Sequence, residues 1–481
     1  MPFNSLSFLF FLPAVFLAFH VTPDRSRWQV LLIASLLFYS SLGVPHLLIV
    51  LLLVTVVSYV IGKCLATARE PGKKRWLLWV GVGANVAILL AAKLLPFASL
   101  PLASNSFLHT LLVSIGVSYF VFQAISYLID IYLEIGEVES HFGLFFLYMA
   151  FFPKLLQGPI ERSGDLLPQL HRPLRCRYED YRAGILLFGW GLFKKVVIAD
   201  RLALFVDTVY GDVYSFTGLP LLVATYFYAL QIFFDFSGYT DMALGVGRLF
   251  GLRLTQNFNA PYAATSVADF WRRWHISFSR WILDYIFKPL QMRWRDLRNV
   301  GTAAALMVTF LVSGLWHGIS WGFVVWGGLH GLYLASSVFY RPLQRRIHKA
   351  LRLDKTAVLR VWQMLVTFHM VCLAWVFFRA TSLADGLYLI GHLFDGLAGQ
   401  LALLGDKEMV RQMLYLGQGS HEFIVAIVTV IAGFALPAVG RRLDFFRRPL
   451  VFRWAMYYSF VGLVLYLGVF ESSGRFIYFQ F

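Results

Sequence analysis

Charge is scarce in this chain. Asp, Glu, Lys and Arg make up 14% of its 481 residues, 59% are hydrophobic, and the mean hydropathy is +0.67. A soluble domain of this length would carry far more charge, which excludes an ordinary soluble enzyme or binding module. Cysteine is scarcer still. Cys64, Cys176 and Cys372 are isolated, and Cys64 and Cys372 fall in apolar runs. No disulfide framework or CxxC metal site can be built from them, so they are read as core packing. Metal-ligand spacing, a phosphate loop, a nucleophile elbow and an internal repeat are all missing from the sequence;. Acidic residues are outnumbered, 26 to 42, for a net charge of +16. The basic residues, however, sit in short segments between apolar runs. That is the pattern of a topology signal, and it argues against a nucleic-acid partner.

What is abundant is the apolar run of about 20 residues, long enough to cross the hydrocarbon core as a helix. Backbone groups in lipid must be satisfied within the protein, and these runs have helical lengths, not the ten-residue alternation of a barrel. The fold class is therefore an all-α polytopic integral membrane protein, with roughly 11 transmembrane helices forming one membrane domain over 1–481. The first run, 5–21, lacks a basic leader and a small-x-small cleavage site and reads as a retained span;. Further spans are expected near 28–43, 46–66, 76–95, 107–133, 183–210, 218–236, 300–316, 321–340, 361–380, 422–440 and 454–470. Basic loops stay cytoplasmic. This places 24–27, 69–75, 341–360 and 441–453 inside, with both termini and the polar 381–421 loop outside.

HFGLFFLYMAFFPKLLQGPIERSG (141–164) is broken by Pro153, Gly158 and Pro159. It is too interrupted for a straight span and reads as a re-entrant or interfacial helix. Irregular backbone at membrane depth is tolerated only where protein or a cavity covers it, so this stretch points to a central cavity.

The densest chemistry lies in 231–331. There Asp235, Asp241, Arg272, Arg273, His275, His317 and His330 cluster with Trp271, Trp274, Trp281, Trp316, Trp321 and Trp326 in a stretch apolar enough for a bilayer. Ionisable groups at membrane depth are costly and face a cavity, a partner or a reaction path. A transporter or channel that relays protons remains a reading of these residues at this point.

The runs QIFFDFSGYTDMA, NFNAPY, FWRRWHISFSRWI and GLWHG, in this order, resemble the signature of the membrane-bound O-acyltransferase family. The likeness is to its bacterial polysaccharide O-acetylation branch, typified by the alginate O-acetyltransferase membrane subunit. FPKLLQGPIERSGDLLPQL (152–170) and the terminal FIYFQF (476–481) resemble the same branch, and the match covers a core of about 115–380. After DYIFKPL the chain departs from the branch with QMRWRD (291–296), which leaves the acceptor open among an alginate-like exopolysaccharide, cellulose and peptidoglycan. A teichoic-acid D-alanyl transfer protein is a more distant likeness.

The resemblance implies a membrane O-acetyltransferase that takes acetyl from a cytoplasmic donor, acetyl-CoA, with no bound cofactor. It also implies separate periplasmic acetyl-handling or polysaccharide-modifying partners and a bacterial inner-membrane location. A catalytically silent scaffold for such partners is the remaining alternative.

Two histidines are candidate catalytic residues. By spacing alone, His317 in SGLWHGIS reads more readily as a buried histidine than as a base, with Gly314 and Gly318 permitting close helix approach;. The resemblance places it on the family's invariant histidine, implicated as the general base. His275 lies in a helix whose Phe270, Trp274, Phe278 and Trp281 share one face at i, i+4, i+8 and i+11, an interfacial aromatic belt with arginine anchors;. The wider family often carries asparagine at this position, which implies that His275 positions substrate or polarises the acyl carbonyl. The segment 266–290 is expected to lie along or re-enter the membrane, because Arg272, Arg273 and Arg280 are too costly to present to lipid.

Asp235 and Tyr239 fall on one helical face beside a glycine break at Gly238;. Asp235 reads as a structural ion pair with Arg272 or Arg273, or as a group orienting a histidine. Together with Trp271, Arg273 and Trp316, these two complete the supporting or tunnel-lining candidates. His20, His46, His109, His330 and His369 read as packed or interfacial.

Overall fold

The computed structural model describes the chain except for residues 44–45, 95–115, 354–355, 417–418, 443–447, 471–476 and 478–481. The loop holding Pro96 and Pro101, His109, the first part of the 107–133 span, much of 441–453 and the terminal FIYFQF apart from Ile477 therefore lie outside the described residues.

The described residues form helices and connecting turns, with no β-strand among them. Among the described residues eight helices are long and apolar enough to cross a membrane, and two shorter apolar helices, Leu6–Val21 and Val117–Tyr132, join them. Helix Leu219–Leu249 is the axis of the molecule, with 78% of its membrane-length window buried inside the protein. The corresponding share for the peripheral helix Leu450–Leu467 is 6%. Expected to stop near 236, the axial helix runs on to Leu249 without interruption.

Gly238 therefore does not break the helix. A Cβ at Gly238 would stand 2.8 Å from the Gly191 carbonyl oxygen, and one at Gly245 would stand 2.6 Å from that of Gly184. The glycines bring the axial helix close against Tyr178–Phe193;. That neighbour continues through a π turn, Lys194–Ala199, into Asp200–Gly211.

Contacts between loops sort the chain into two faces. On one face Arg175 meets Asp24 at 2.9 Å, Lys74 meets Glu134 at 2.7 Å, His171 meets Glu139 at 2.6 Å and Arg162 meets Asp284 at 2.5 Å. On the other, Arg379 meets Asp207 at 2.7 Å, Gly218 N–H donates to the His392 carbonyl at 2.9 Å, and Arg201 pairs with Glu422. The basic loops 24–27 and 69–75 fall together on the first face, as their charge predicts. The 381–421 stretch lies on the second, but it is not a plain loop: it holds the short helices Leu383–Gly391, Leu397–Ala402 and Lys407–Met413.

The interrupted 141–164 segment folds as Phe142–Ala150, a single turn Phe152–Leu155, and irregular backbone up to helix Ser163–Leu170. Residues 147–161 are buried throughout, so this irregular backbone is covered by protein, as expected;.

The interior is two aromatic-rich cores. One takes residues from the N-terminal helices, the 142–170 segment and the far half of the axial helix (Tyr239 to Leu249). The other takes the near half of the axial helix, up to Phe236, together with Phe310, Trp326 and Trp375. Cys372 packs in the second core, but Cys64, expected to be core packing, is exposed on helix His46–Thr67.

Candidate active site

The segment expected as one amphipathic helix around His275 is broken at that residue. Val267–Arg273 ends before Trp274, His275 adopts a left-handed conformation (φ 44°, ψ 54°), and Ile276–Ile282 follows. Next come a π turn, Leu283–Phe287, and the short helix Lys288–Arg293, so 266–290 is no straight span. The four aromatics do not share a face. Phe270 and Trp274 pack into one core, Phe278 and Trp281 into the other. His275 sits where the chain passes between the two.

A left-handed conformation costs a non-glycine residue about 1–2 kcal/mol, so the surroundings must hold it. Asn257 does this work. Its carbonyl accepts the Ile276 N–H at 3.0 Å and its side-chain oxygen accepts the Ser277 N–H at 3.1 Å. The Ser277 hydroxyl in turn accepts the Ile160 N–H at 3.0 Å, which ties the turn to the buried 152–161 segment. Strain held by tertiary contacts is characteristic of functional positions. The His275 ring is buried, with Phe236 edge-on at 4.7 Å and Tyr119 at 6.4 Å.

His317 ends helix Arg298–His317. It is only 4% exposed, although Ile319 and Trp321 just beyond it are 51% and 71% exposed. The imidazole thus lies directly behind a surface turn on the face opposite the basic loops. Phe378 and Trp326 stand edge-on to it at 4.9 and 5.0 Å. Helix Trp321–Ala350 returns against the first, and here the glycine expectation holds. A Cβ at Gly314 would stand 2.3 Å from the Phe323 carbonyl oxygen, and one at Gly327 would stand 2.4 Å from that of Phe310.

The two histidines converge on one stacked pair. Trp316 lies 4.5 Å from His317 and 6.5 Å from His275, while Phe278 lies 5.1 Å from His275 and 6.2 Å from His317. Trp271 is one ring further out. Its indole N–H donates to His330 Nδ1 at 3.2 Å, and its ring lies 5.8 Å from Trp326. Tyr239 stacks on Phe3 at 4.8 Å, deep in the first core.

Two candidates are engaged elsewhere. Arg273 pairs with Asp269 at 3.0 Å. Asp235 pairs with Lys195 at 2.5 Å, not with Arg272 or Arg273, and it accepts the Ile477 N–H at 3.0 Å. Lys195 also meets Asp200 at 2.8 Å, which makes Asp235 part of a buried structural triad. Sequence reasoning missed Phe278, Tyr119 and Phe378 as neighbours of the histidines. It also missed the role of Asn257, although NFNAPY carried that residue in plain view.

Comparison with known proteins places the chain among acyltransferases. The profile of the membrane-bound O-acyltransferase family matches residues 137–379. The chain is 31% identical to a peptidoglycan O-acetyltransferase of Helicobacter pylori, across 90% of this chain and 89% of the relative. It is 36% identical to a probable alginate O-acetylase of Pseudomonas aeruginosa, across 85% and 78%. A teichoic acid D-alanyltransferase of Bacillus subtilis is 25% identical, across 77% and 96%. All three are acyl-transferring proteins by name, and the matched region contains both histidines and the aromatic pair between them. This chain is a multi-pass membrane protein that belongs to the membrane-bound O-acyltransferase family.

Proposed function

We propose that this acyltransferase takes acetyl from acetyl-CoA on the basic, cytoplasmic face of the inner membrane. It passes the acetyl group to a hydroxyl on the opposite face, for O-acetylation of an extracytoplasmic polysaccharide. His317 is the general base. As the acceptor oxygen attacks the thioester carbonyl, the imidazole takes the hydroxyl proton. When the carbon–sulfur bond breaks, that proton is available to the departing thiolate. A positioned base of this kind contributes about 10²–10⁴-fold. No acyl-histidine is required, because the carbon–oxygen bond forms directly.

The observation that carries this reading is the convergence of His275 and His317 on the Trp316–Phe278 pair, with His317 just behind the face opposite the basic loops. The buried His275 imidazole can offer a ring N–H that polarises the acetyl carbonyl;. The acceptor is an alginate-like exopolysaccharide, cellulose or peptidoglycan, and relatives are named for the first and last of these. Periplasmic acetyl-handling proteins receive or direct the group.

Deletion of this one protein, followed by mass analysis of the cell's polysaccharides, tests the reading. Loss of acetyl esters from one envelope or exported polymer is expected. An unchanged acetyl content in all of them contradicts it.

A further inference from the structure

A cavity of about 540 Å³ lies between the broken 267–287 segment and the helices 298–317 and 321–350. Its volume falls within the roughly 300–1,000 Å³ of small-ligand sites. The wall is mostly apolar, with Ile276, Leu306, Phe310 and Leu334 among the lining, while Arg272 and Arg280 line the same space. Among the described residues neither guanidinium has a carboxylate partner. The nearby carboxylates are already engaged, Asp269 by Arg273 and Asp284 by Arg162 and Lys288. Leu283, on the cavity wall, is 42% exposed. The cavity is thus flanked by the apolar outer surface that these helices present to lipid.

We propose that this cavity binds one anionic phospholipid from the surrounding bilayer. An acyl chain lies along the apolar wall and the phosphate sits between Arg272 and Arg280. Charge complementarity and wall chemistry select this occupant. A soluble nucleotide-bearing donor needs hydrogen-bonding partners along its length; among the described lining residues only Arg272 and Arg280 are charged, and the Ser279 and Thr309 hydroxyls already donate to backbone carbonyls. A zwitterionic lipid carries a headgroup cation beside its phosphate, which the two arginines repel. Basic pockets between membrane helices bind anionic headgroups, with each arginine adding about fivefold in affinity. Two arginines give roughly a 30-fold preference over a zwitterionic lipid.

The test is native mass spectrometry of the full-length protein released from nanodiscs containing equal palmitoyl-oleoyl phosphatidylglycerol and phosphatidylcholine. The wild type should retain one phosphatidylglycerol by about that factor. Arg272→Gln with Arg280→Gln should lose the preference, and Arg272→Lys with Arg280→Lys should keep most of it. Leu306→Trp, which narrows the cavity but keeps both arginines, should also lose the lipid, so the test does not depend on one variant. Coenzyme A carries phosphates without an acyl chain and should leave the lipid in place. Equal retention of the two lipids, an unchanged preference in the double glutamine variant, or displacement by coenzyme A overturns the proposal. Displacement would assign the cavity to a soluble phosphate ligand. None of these readouts depends on acetyl transfer, so failure here leaves the role of His317 standing.

Discussion

Trp316 and Phe278 stack with ring centroids 4.4 Å apart and planes inclined by 22°, and this pair is the shared wall of His275 and His317. Trp316 also packs on Phe122 at 5.3 Å, which itself stacks on Trp281 at 4.2 Å. The spacing of the two histidines is therefore set by aromatic packing from three separate segments.

The first prediction concerns that wall. Trp316→Ala should lower acetyl transfer by about 10–100-fold, the penalty for displacing a catalytic group by about an ångström, while the protein still reaches the membrane. Trp316→Phe should keep most of the activity, because a smaller ring can still stack on Phe278. Rates in membranes containing matched amounts of each variant decide this. Equal activity of Trp316→Ala and wild type would show that the pair does not set the site.

His275 supplies a second prediction. Asparagine tolerates the left-handed conformation and keeps a side-chain N–H donor, so His275→Asn should hold the turn and retain more acetyl transfer than His275→Ala. Rates in membranes containing matched amounts of the two variants check this, and an equal loss in both would contradict a hydrogen-bonding role for the imidazole.

Topology gives a third prediction. Single cysteines are introduced as Arg345→Cys and Val410→Cys after replacement of Cys64, Cys176 and Cys372. A membrane-impermeant thiol reagent added from outside should label position 410 and spare 345. The reverse pattern would invert the protein and place His317 behind the cytoplasmic face.

The helices were largely legible in the sequence, because a run of about 20 apolar residues has few other solutions in lipid. Pro153, Gly158 and Pro159 likewise announced the interrupted 141–164 segment. The break at His275 was not legible. Aromatic spacing continues through it at helical intervals, and the bonds that force the turn come from Asn257, far enough upstream to escape any local pattern. The partner of Asp235 was hidden for the same reason, since Lys195 comes from a π turn on the preceding helix. Gly238 shows that a glycine alone cannot tell a helix break from a close approach. Cys64 shows that a lipid-facing surface is as apolar as a core. By contrast, the helix Leu383–Gly391 could have been found: Ser382 and Asp385 form a capping box with both bonds made;.

The central claim is that His317 is the base, and one substitution addresses it most directly. His317→Ala is expressed in place of the wild type, and O-acetyl groups on the cell's polysaccharides are measured by mass analysis. The amount of the variant in the membrane is quantified alongside. The account predicts that acetylation is abolished while membrane levels are unchanged, with His275→Ala giving an equal or smaller loss. Near-normal acetylation by His317→Ala would contradict it, remove the base from the mechanism, and leave a scaffold or transport role as the better reading.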